Sequence, residues 1–473
     1  MPDLRRLLTG WLRDAASAPL TAWLSQQRWF GAKSRVIAGV DLVDIVWLED
    51  SPPAALVLVE TRYAPVASPL TQAASDRYAL LLTTAADGAS HVIASLPGAA
   101  ATVVVDGGTD GQAIAALLGG LAGAAVPAGD RGGRLRYADG TPATGTLLAD
   151  PAAITARAVG AEQSNTSVRL GAGHVFKLFR RLEPGVHPQV EMARFLTGAG
   201  FDEVPALAGS VVYEDGGGTP WATGVLEHWV PNEGDGWTYA LACLAKDHEA
   251  LASGLTALGA TTADLHAALA SDASQPDFAP VPTTDDDRAG WRQRLLTQGE
   301  RAAAVAPRVA SYLARLAEVA GRAPATSGAF DRIRIHGDLH LGQTLRTPGG
   351  FVIIDFEGEP SKPVAERRRK QCALQDVAGM LRSIDYAVAT SGGGPGAPPL
   401  LDRLRGAFLD GYLTRARAGQ AVFLPPPGPA FDAWLAHFEI EKALYEVEYE
   451  ANNRLTWLPI PLQALERLLG EGA

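Results

Sequence analysis

The chain has 473 residues, 47% hydrophobic and 20% charged, which is the profile of a soluble globular protein long enough for more than one lobe. Its net charge of -11 argues against a nucleic-acid or anionic-lipid surface and leaves small-molecule work as the expected class. The 2 cysteines, Cys243 and Cys372, lie in separate segments, so a reducing compartment, the cytoplasm, is expected rather than a disulfide framework.

The first 16 residues carry Arg5, Arg6, Arg13 and Asp14 and make no uninterrupted apolar run, so they do not read as a secretory signal. Residues 1–90 are expected to form a small mixed unit. It has a helix bearing Leu4, Leu7, Leu8, Trp11 and Leu12, then strands at 40–47, 54–63 and 78–83. The aromatic, basic corner at 29–33 reads as packing, with a ligand contact as the alternative. The apolar stretch 113–127 is shorter than a bilayer span and reads as a core helix, so no membrane partner is expected.

Residues 91–228 are expected to be an intermediate subdomain, with a helix at 111–125 and short strands at 134–137 and 145–148. A polar stretch, Ser164, Asn165, Thr166 and Ser167, precedes a turn at 171–173 and a strand at 174–180 that carries Lys177 between apolar neighbours. A strand, a loop and a lysine-bearing strand are the parts with which a kinase lobe covers nucleotide phosphates. Hydroxyls and backbone N–H groups would here replace a glycine-rich loop. An unpaired ammonium on an internal strand is costly, so Lys177 needs an anion, either nucleotide phosphate or Glu191 near the start of the next helix. An apolar strand ending in Pro-Asn at 231–232 suits an interlobe hinge, whose main chain around Glu227, Trp229 and Val230 would bond the adenine edge of ATP.

Residues 229–473 read as mainly helical, with helices at 237–251, 255–270, 288–322 and 431 to about 452. A surface loop is expected at 271–287, Gly/Pro-rich loops at 392–399 and 424–429, and His266 as a satisfied helix residue. Within this part stands His-Gly-Asp at 336–338, followed by Gln343, and then an apolar strand ending on Asp-Phe-Glu at 355–357. Kinases write the pattern as H-R-D-x-x-x-x-N and then D-F-G. Asp338 is placed to hold an acceptor hydroxyl and take its proton, while Gln343 and Asp355 each offer an oxygen to Mg2+ on the nucleotide phosphates. His336 reads as a hydrogen-bonding prop for the loop.

With these motifs in view, the chain resembles the actinobacterial maltokinase family, a branch of the aminoglycoside-phosphotransferase-like, eukaryotic-type kinases. The resemblance rests on Gln-Arg-Trp-Phe at 27–30, Glu-Gln-Ser-Asn-Thr-Ser at 162–167, the stretch from Lys177 to Gly185, the His-Gly-Asp loop through Gln343, and Asp-Phe-Glu-Gly-Glu-Pro at 355–360. The stretches 376–383 and 442–446 complete it. It implies an α+β, bilobal kinase fold with an N-terminal cap and a helical lobe, 229–473, that carries the acceptor pocket. It also implies Asp338 as catalytic base, Gln343 and Asp355 as Mg2+ ligands, Lys177 as phosphate clamp and Glu191 as its helix partner. The implied reaction is ATP-dependent phosphorylation of a free sugar by a monomer or weak dimer.

The last long helix departs from the family's Tyr-Glu-Val-Val-Tyr-Glu-Ala-Arg-Asn-Arg-Pro: an apolar residue is Glu448 here and an arginine is Asn452. At i, i+4 spacing these share a helix face. Acceptor-facing candidates are therefore Glu446, Glu448, Glu450, Asn452 and Asn453, with His340 and Asp338 from the loop. A carboxylate there would favour an acceptor bearing an ammonium, so glucosamine, giving glucosamine 6-phosphate, is expected ahead of maltose. A protein that binds nucleotide or sugar without catalysis is the alternative from another class, and the intact Lys177, Asp338, Gln343 and Asp355 speak against it.

Overall fold

The computed structural model describes residues 3–14, 16–33, 35–65, 75–160, 164–325, 330–392 and 398–470, the side chains of 323–325 and 398 aside. The chain divides into two compact units. The first comprises Met1–Arg194, Pro205–Val230 and Pro360–Ala365, and the second Phe195–Val204, Pro231–Glu359 and Glu366–Ala473.

The first unit opens with helices Leu4–Asp14 (α1) and Ser17–Leu24 (α2). Strands Ile37–Asp50 (β1), Pro53–Tyr63 (β2), Ser75–Ala86 (β3), Val92–Ser95 (β4) and Thr102–Asp106 (β5) follow. They make an antiparallel sheet in the order β1-β2-β3-β5-β4, so the cap continues past residue 90, where the sequence pattern had suggested a boundary. Residues 54–59 are apolar at every position because both faces of β2 are covered. Ala55, Val57 and Val59 pack in one core with Leu8, Trp11 and Leu24 of the two helices. Ala54, Leu56 and Leu58 pack on the other side with Ile114, Phe176 and Leu178.

Helix Gly111–Leu118 (α3), strand Arg134–Ala138 (β6), helix Pro142–Leu148 (α4) and strands Ala156–Ala158 (β7), Asn165–Leu170 (β8), His174–Phe179 (β9) and Arg181–Leu182 (β10) come next. Helix Pro188–Gly198 (α5) and strands Leu207–Glu214 (β11) and Pro220–His228 (β12) follow. The second sheet runs β6-β11-β12-β9-β8-β7, while β10 pairs with β3 of the first. Where a strand was expected at 145–148 there is helix α4: Thr141 accepts from the Thr144 N–H, Thr144 reciprocates, and Pro142 opens the first turn. Two buried charges join cap and kinase sheets. The fully buried Arg180 guanidinium grips both Asp106 oxygens (3.0 and 2.6 Å), donates to Thr166 Oγ1 (2.8 Å) and stacks over Trp29. Buried Asp44 accepts from the backbone of Arg131 and Gly133 and from the Tyr213 hydroxyl.

The second unit contains helices Gly236–Leu244 (α6), His248–Leu269 (α7), Asp285–Val305 (α8), Leu313–Ala325 (α9), Leu374–Thr390 (α11), Pro398–Ala418 (α12), Pro429–Asn453 (α13) and Pro459–Leu469 (α14), while the short helix Val364–Arg367 (α10) lies where the chain passes from the first unit's last segment to the second. Two short two-stranded sheets complete it: Val281–Pro282 (β13) with Asp331–Arg332 (β14), and the hairpin Thr344–Thr347 (β15) with Gly350–Ile353 (β16). The helix expected over 237–251 breaks after α6 because Asp247 caps a new helix through the Ala250 N–H. The stretch 288–322 is likewise interrupted: α8 starts early on the Thr284 cap, and Pro307 opens a 3-10 turn before α9. Helix α14 was not anticipated. Helices α7 and α12 approach through glycines, since a Cβ on Gly259 would lie 2.1 Å from Phe408 O and one on Gly411 2.0 Å from Thr256 O. None of the helices, among the described residues, is long and apolar enough to cross a membrane.

Candidate active site

The His-Gly-Asp turn is a loop that cannot satisfy its own backbone, and a buried carboxylate does so instead. Asp376, on the first turn of α11, accepts the N–H of His336 (2.7 Å) and of Gly337 (2.8 Å). It is held in turn by His266 Nε2 at 3.1 Å, and His266 Nδ1 meets the Tyr412 hydroxyl at 2.8 Å. Residues from α7, α11 and α12 thus fix the loop. Burial would drive the Asp376 carboxyl upward, but His266 and the loop N–H group hold it below its ordinary value, so it stays an acceptor. Nothing in the sequence around Asp376 marks this role. His266, read as a satisfied helix residue, has both ring nitrogens engaged.

The loop itself is compact. Gly337 has φ +83°, a left-handed conformation that glycine adopts without strain. His336 Nε2 lies 2.9 Å from Ile354 O and its Nδ1 accepts the Asp338 N–H at 3.3 Å, which assigns the proton to Nε2 and makes the ring a prop between the loop and the strand after it. His340 Nδ1 caps the single turn Leu341–Gln343 by accepting the Gly342 N–H. Burial pushes this imidazole below its usual value, with Asp338 opposing the shift.

Asp338 is a quarter exposed, and its Oδ1 is 3.2 Å from Lys442 Nζ on α13. Burial opposes its charge, yet Lys442, His340 and His336 hold the carboxyl below the ordinary range. No role had been assigned to Lys442. Gln343 and Asp355 come together, with the Gln343 amide 3.2 Å from Asp355 Oδ2. Asp355 has φ +70°, a strained backbone for a residue other than glycine and one that clusters at functional sites.

In the first unit Lys177 Nζ lies 3.8 Å from Glu227 Oε2, and the other Glu227 oxygen accepts from Gln189. Lys177 pairs with Val225, so Glu227 is its diagonal neighbour on the same sheet face. That relation is invisible before register is known. Glu191 is buried in the first turn of α5. Strand β8 alternates, so Asn165 and Ser167 are half-buried on one side while Thr166 faces the core, its hydroxyl taken by Arg180. Thr166 therefore offers no side chain to a phosphate. Ser164 is half-buried just before β8, and Glu162 and Gln163 lie outside the described residues.

Two expectations need correction. The hinge backbone is largely occupied: Glu227 lies inside β12, the His228 N–H donates to Ala206 O and the Trp229 N–H to Gly173 O (2.8 Å). The acidic face of α13 is also used structurally. Glu448 bonds Gln298 (2.9 Å) and Arg301 (3.1 Å) of α8, while Asn452 and Asn453 cap carbonyls one turn back on their own helix. Glu446 accepts from buried Arg382 (2.9 and 2.7 Å), and Glu450 from Tyr386 and Arg454. Side chains of long helices find partners that periodicity does not name.

The phosphotransferase enzyme family matches residues 155–419, and the maltokinase N-terminal cap domain matches residues 23–110. The chain belongs to the phosphotransferase enzyme family. It is 32% identical over 333 residues to a glucosamine kinase of Mycolicibacterium smegmatis, covering 67% of this chain and 80% of that one. A glucosamine kinase of Streptacidiphilus jiangxiensis is 32% identical over 245 residues, 49% of this chain and 54% of that protein. Among solved structures, a glucosamine kinase in complex with glucosamine, ADP and inorganic phosphate superposes with TM-score 0.68 at 22% identity, covering 99% of both chains. The fold is therefore the α+β phosphotransferase kinase fold with a maltokinase-type cap. The loop thus sets the braced Asp338 carboxylate beside the half-buried Lys442 ammonium, while Gln343, before β15, pairs with Asp355, after β16.

Proposed function

We propose that this phosphotransferase moves the γ-phosphoryl group of ATP to a hydroxyl of D-glucosamine, giving glucosamine 6-phosphate and ADP. The observation that carries the acceptor is the 32% identity over 333 residues to a glucosamine kinase, a likeness that spans 80% of that enzyme. The charge argument from Glu448 does not contribute, because that carboxylate is spent on α8.

In this reading Asp338 accepts the proton of the attacking hydroxyl as the new O–P bond forms and the bond to the leaving ADP oxygen breaks. Asp376, His336 and Gly337 keep that carboxylate from drifting, which matters because a misplacement of about 1 Å can cost on the order of 10²-fold in rate. Lys177, oriented by Glu227, clamps phosphate oxygens, with Asn165, Ser167 and backbone N–H groups of the preceding loop closing over them. The Gln343 and Asp355 oxygens are hard donors of the type Mg2+ takes from protein, one or two at a site with phosphates supplying others, so the donor set fits that ion. Mg2+ bound there neutralises charge on the phosphate oxygens.

The test is ADP release with glucosamine, with maltose and with no sugar. Glucosamine should give the fastest release and a 6-phosphate product. The cap match favours maltose as the second reading; faster release with maltose, and maltose 1-phosphate as product, would replace the first.

A further inference from the structure

Among the described residues, the catalytic loop carries no lysine or arginine between His336 and Gln343, yet a lysine ammonium stands against its carboxylate. It comes from 104 positions further along the chain: Lys442 of α13 reaches Asp338 Oδ1 at 3.2 Å and lies 5.0 Å over the Tyr445 ring, with 28% of its side chain exposed. Its own helix is anchored one turn on, where Glu446 binds the buried Arg382 of α11. The ammonium is therefore delivered by a rigid element.

We propose that Lys442 is the positioning residue of the reaction: it pins one oxygen of Asp338, leaves the other for the acceptor hydroxyl, and lays a fixed positive charge beside the oxygen that attacks phosphorus. The inference rests on the reading of Asp338 as base. A carboxylate bonded at one oxygen cannot rotate freely, so the free oxygen keeps its direction through the transfer. A fixed ammonium next to the reacting oxygen also offsets negative charge as it moves toward the transferred group. It keeps Asp338 ionised in acid solution, although the carboxylate is thereby a weaker base. The groups facing the pair are His336 and His340 from the loop, Glu359 after the Asp-Phe-Glu strand, and Tyr445 and Glu446 from α13; Asp355 acts on His340.

K442M, K442R and the charge-balanced K442M/E359Q are compared with wild type by pH-rate profile, with whichever sugar the wild type phosphorylates. In K442M the acidic limb should move to higher pH and kcat should fall on the order of 10²-fold, with a smaller change in KM for ATP. K442R should restore the limb. If K442M does not fold, the double variant carries the comparison. Where no sugar is turned over, carboxyl ¹³C NMR follows the Asp338 titration directly. An acidic limb, or a carboxyl titration, that stays at its wild-type position without the lysine overturns the proposal, as does a limb that moves equally in K442R. Full turnover by D338N, or no ADP release with any sugar, instead overturns the functional reading.

Discussion

The acceptor carboxylate and its neighbours make predictions one side chain at a time. Asp338→Asn keeps size and polarity while removing the base, so kcat should drop by about 10² to 10⁴-fold with the fold intact, as measured by ADP release and circular dichroism. Glu448→Val should leave sugar binding unchanged, since the carboxylate is bonded to Gln298 and Arg301. KM for sugar should then stay within about twofold and stability within about 1 kcal/mol, as for the loss of an exposed pair; a large rise in KM for glucosamine alone would return that carboxylate to the pocket. These residues differ in legibility. Asp338, Gln343 and Asp355 stand in a spacing like that of kinase motifs, so the sequence displays them as candidates. Lys442 is 104 positions from the aspartate it touches, and nothing local marks it.

At the scale of elements, the loop is only as rigid as the helices that hold it. Asp376→Ala removes the acceptor for two buried N–H groups and the partner of His266. A loss of about 3 to 5 kcal/mol in denaturant unfolding is expected, together with a fall in kcat larger than any change in KM for ATP. An unaltered kcat would mean that the loop holds its shape without the helix. The cap and the lysine strand are coupled through Arg180, whose guanidinium ties Asp106 to Thr166. Thr166 looked like a phosphate ligand because a polar run reads as a loop. The strand alternation that turns it inward appears only once β8 is paired to β9.

For the molecule as a whole, the pH dependence of stability has a contributor in the α8–α13 core. His437 is fully buried against Trp434 and Phe438, and burial lowers its pKa from 6.5 to about 4. Between those values the unfolded chain binds a proton that the folded protein refuses. The stabilisation is therefore complete above about pH 6.5 and lost as the pH falls toward 4, with a magnitude on the order of 3 kcal/mol. Thermal unfolding from pH 7 to 4 should show a decline that His437→Leu flattens; parallel curves would remove the histidine from the account. Mg2+ with ATP should raise the melting temperature by mass action, and the rise should shrink in Asp355→Asn.

The amino-acid sequence by itself determined the fold class, the helical character of the C-terminal part, and a candidate set of site residues whose spacing matches kinase motifs. Those follow from local periodicity and from motifs that are contiguous in the chain. The tertiary structure alone decided that Glu227 stands beside Lys177, which ammonium accompanies Asp338, and that the acidic stripe of α13 faces partners on α8 and α11. The physical reason is common to all: a buried or half-buried charge is settled by whatever opposite charge packing brings within hydrogen-bond reach, and that partner lies in another element.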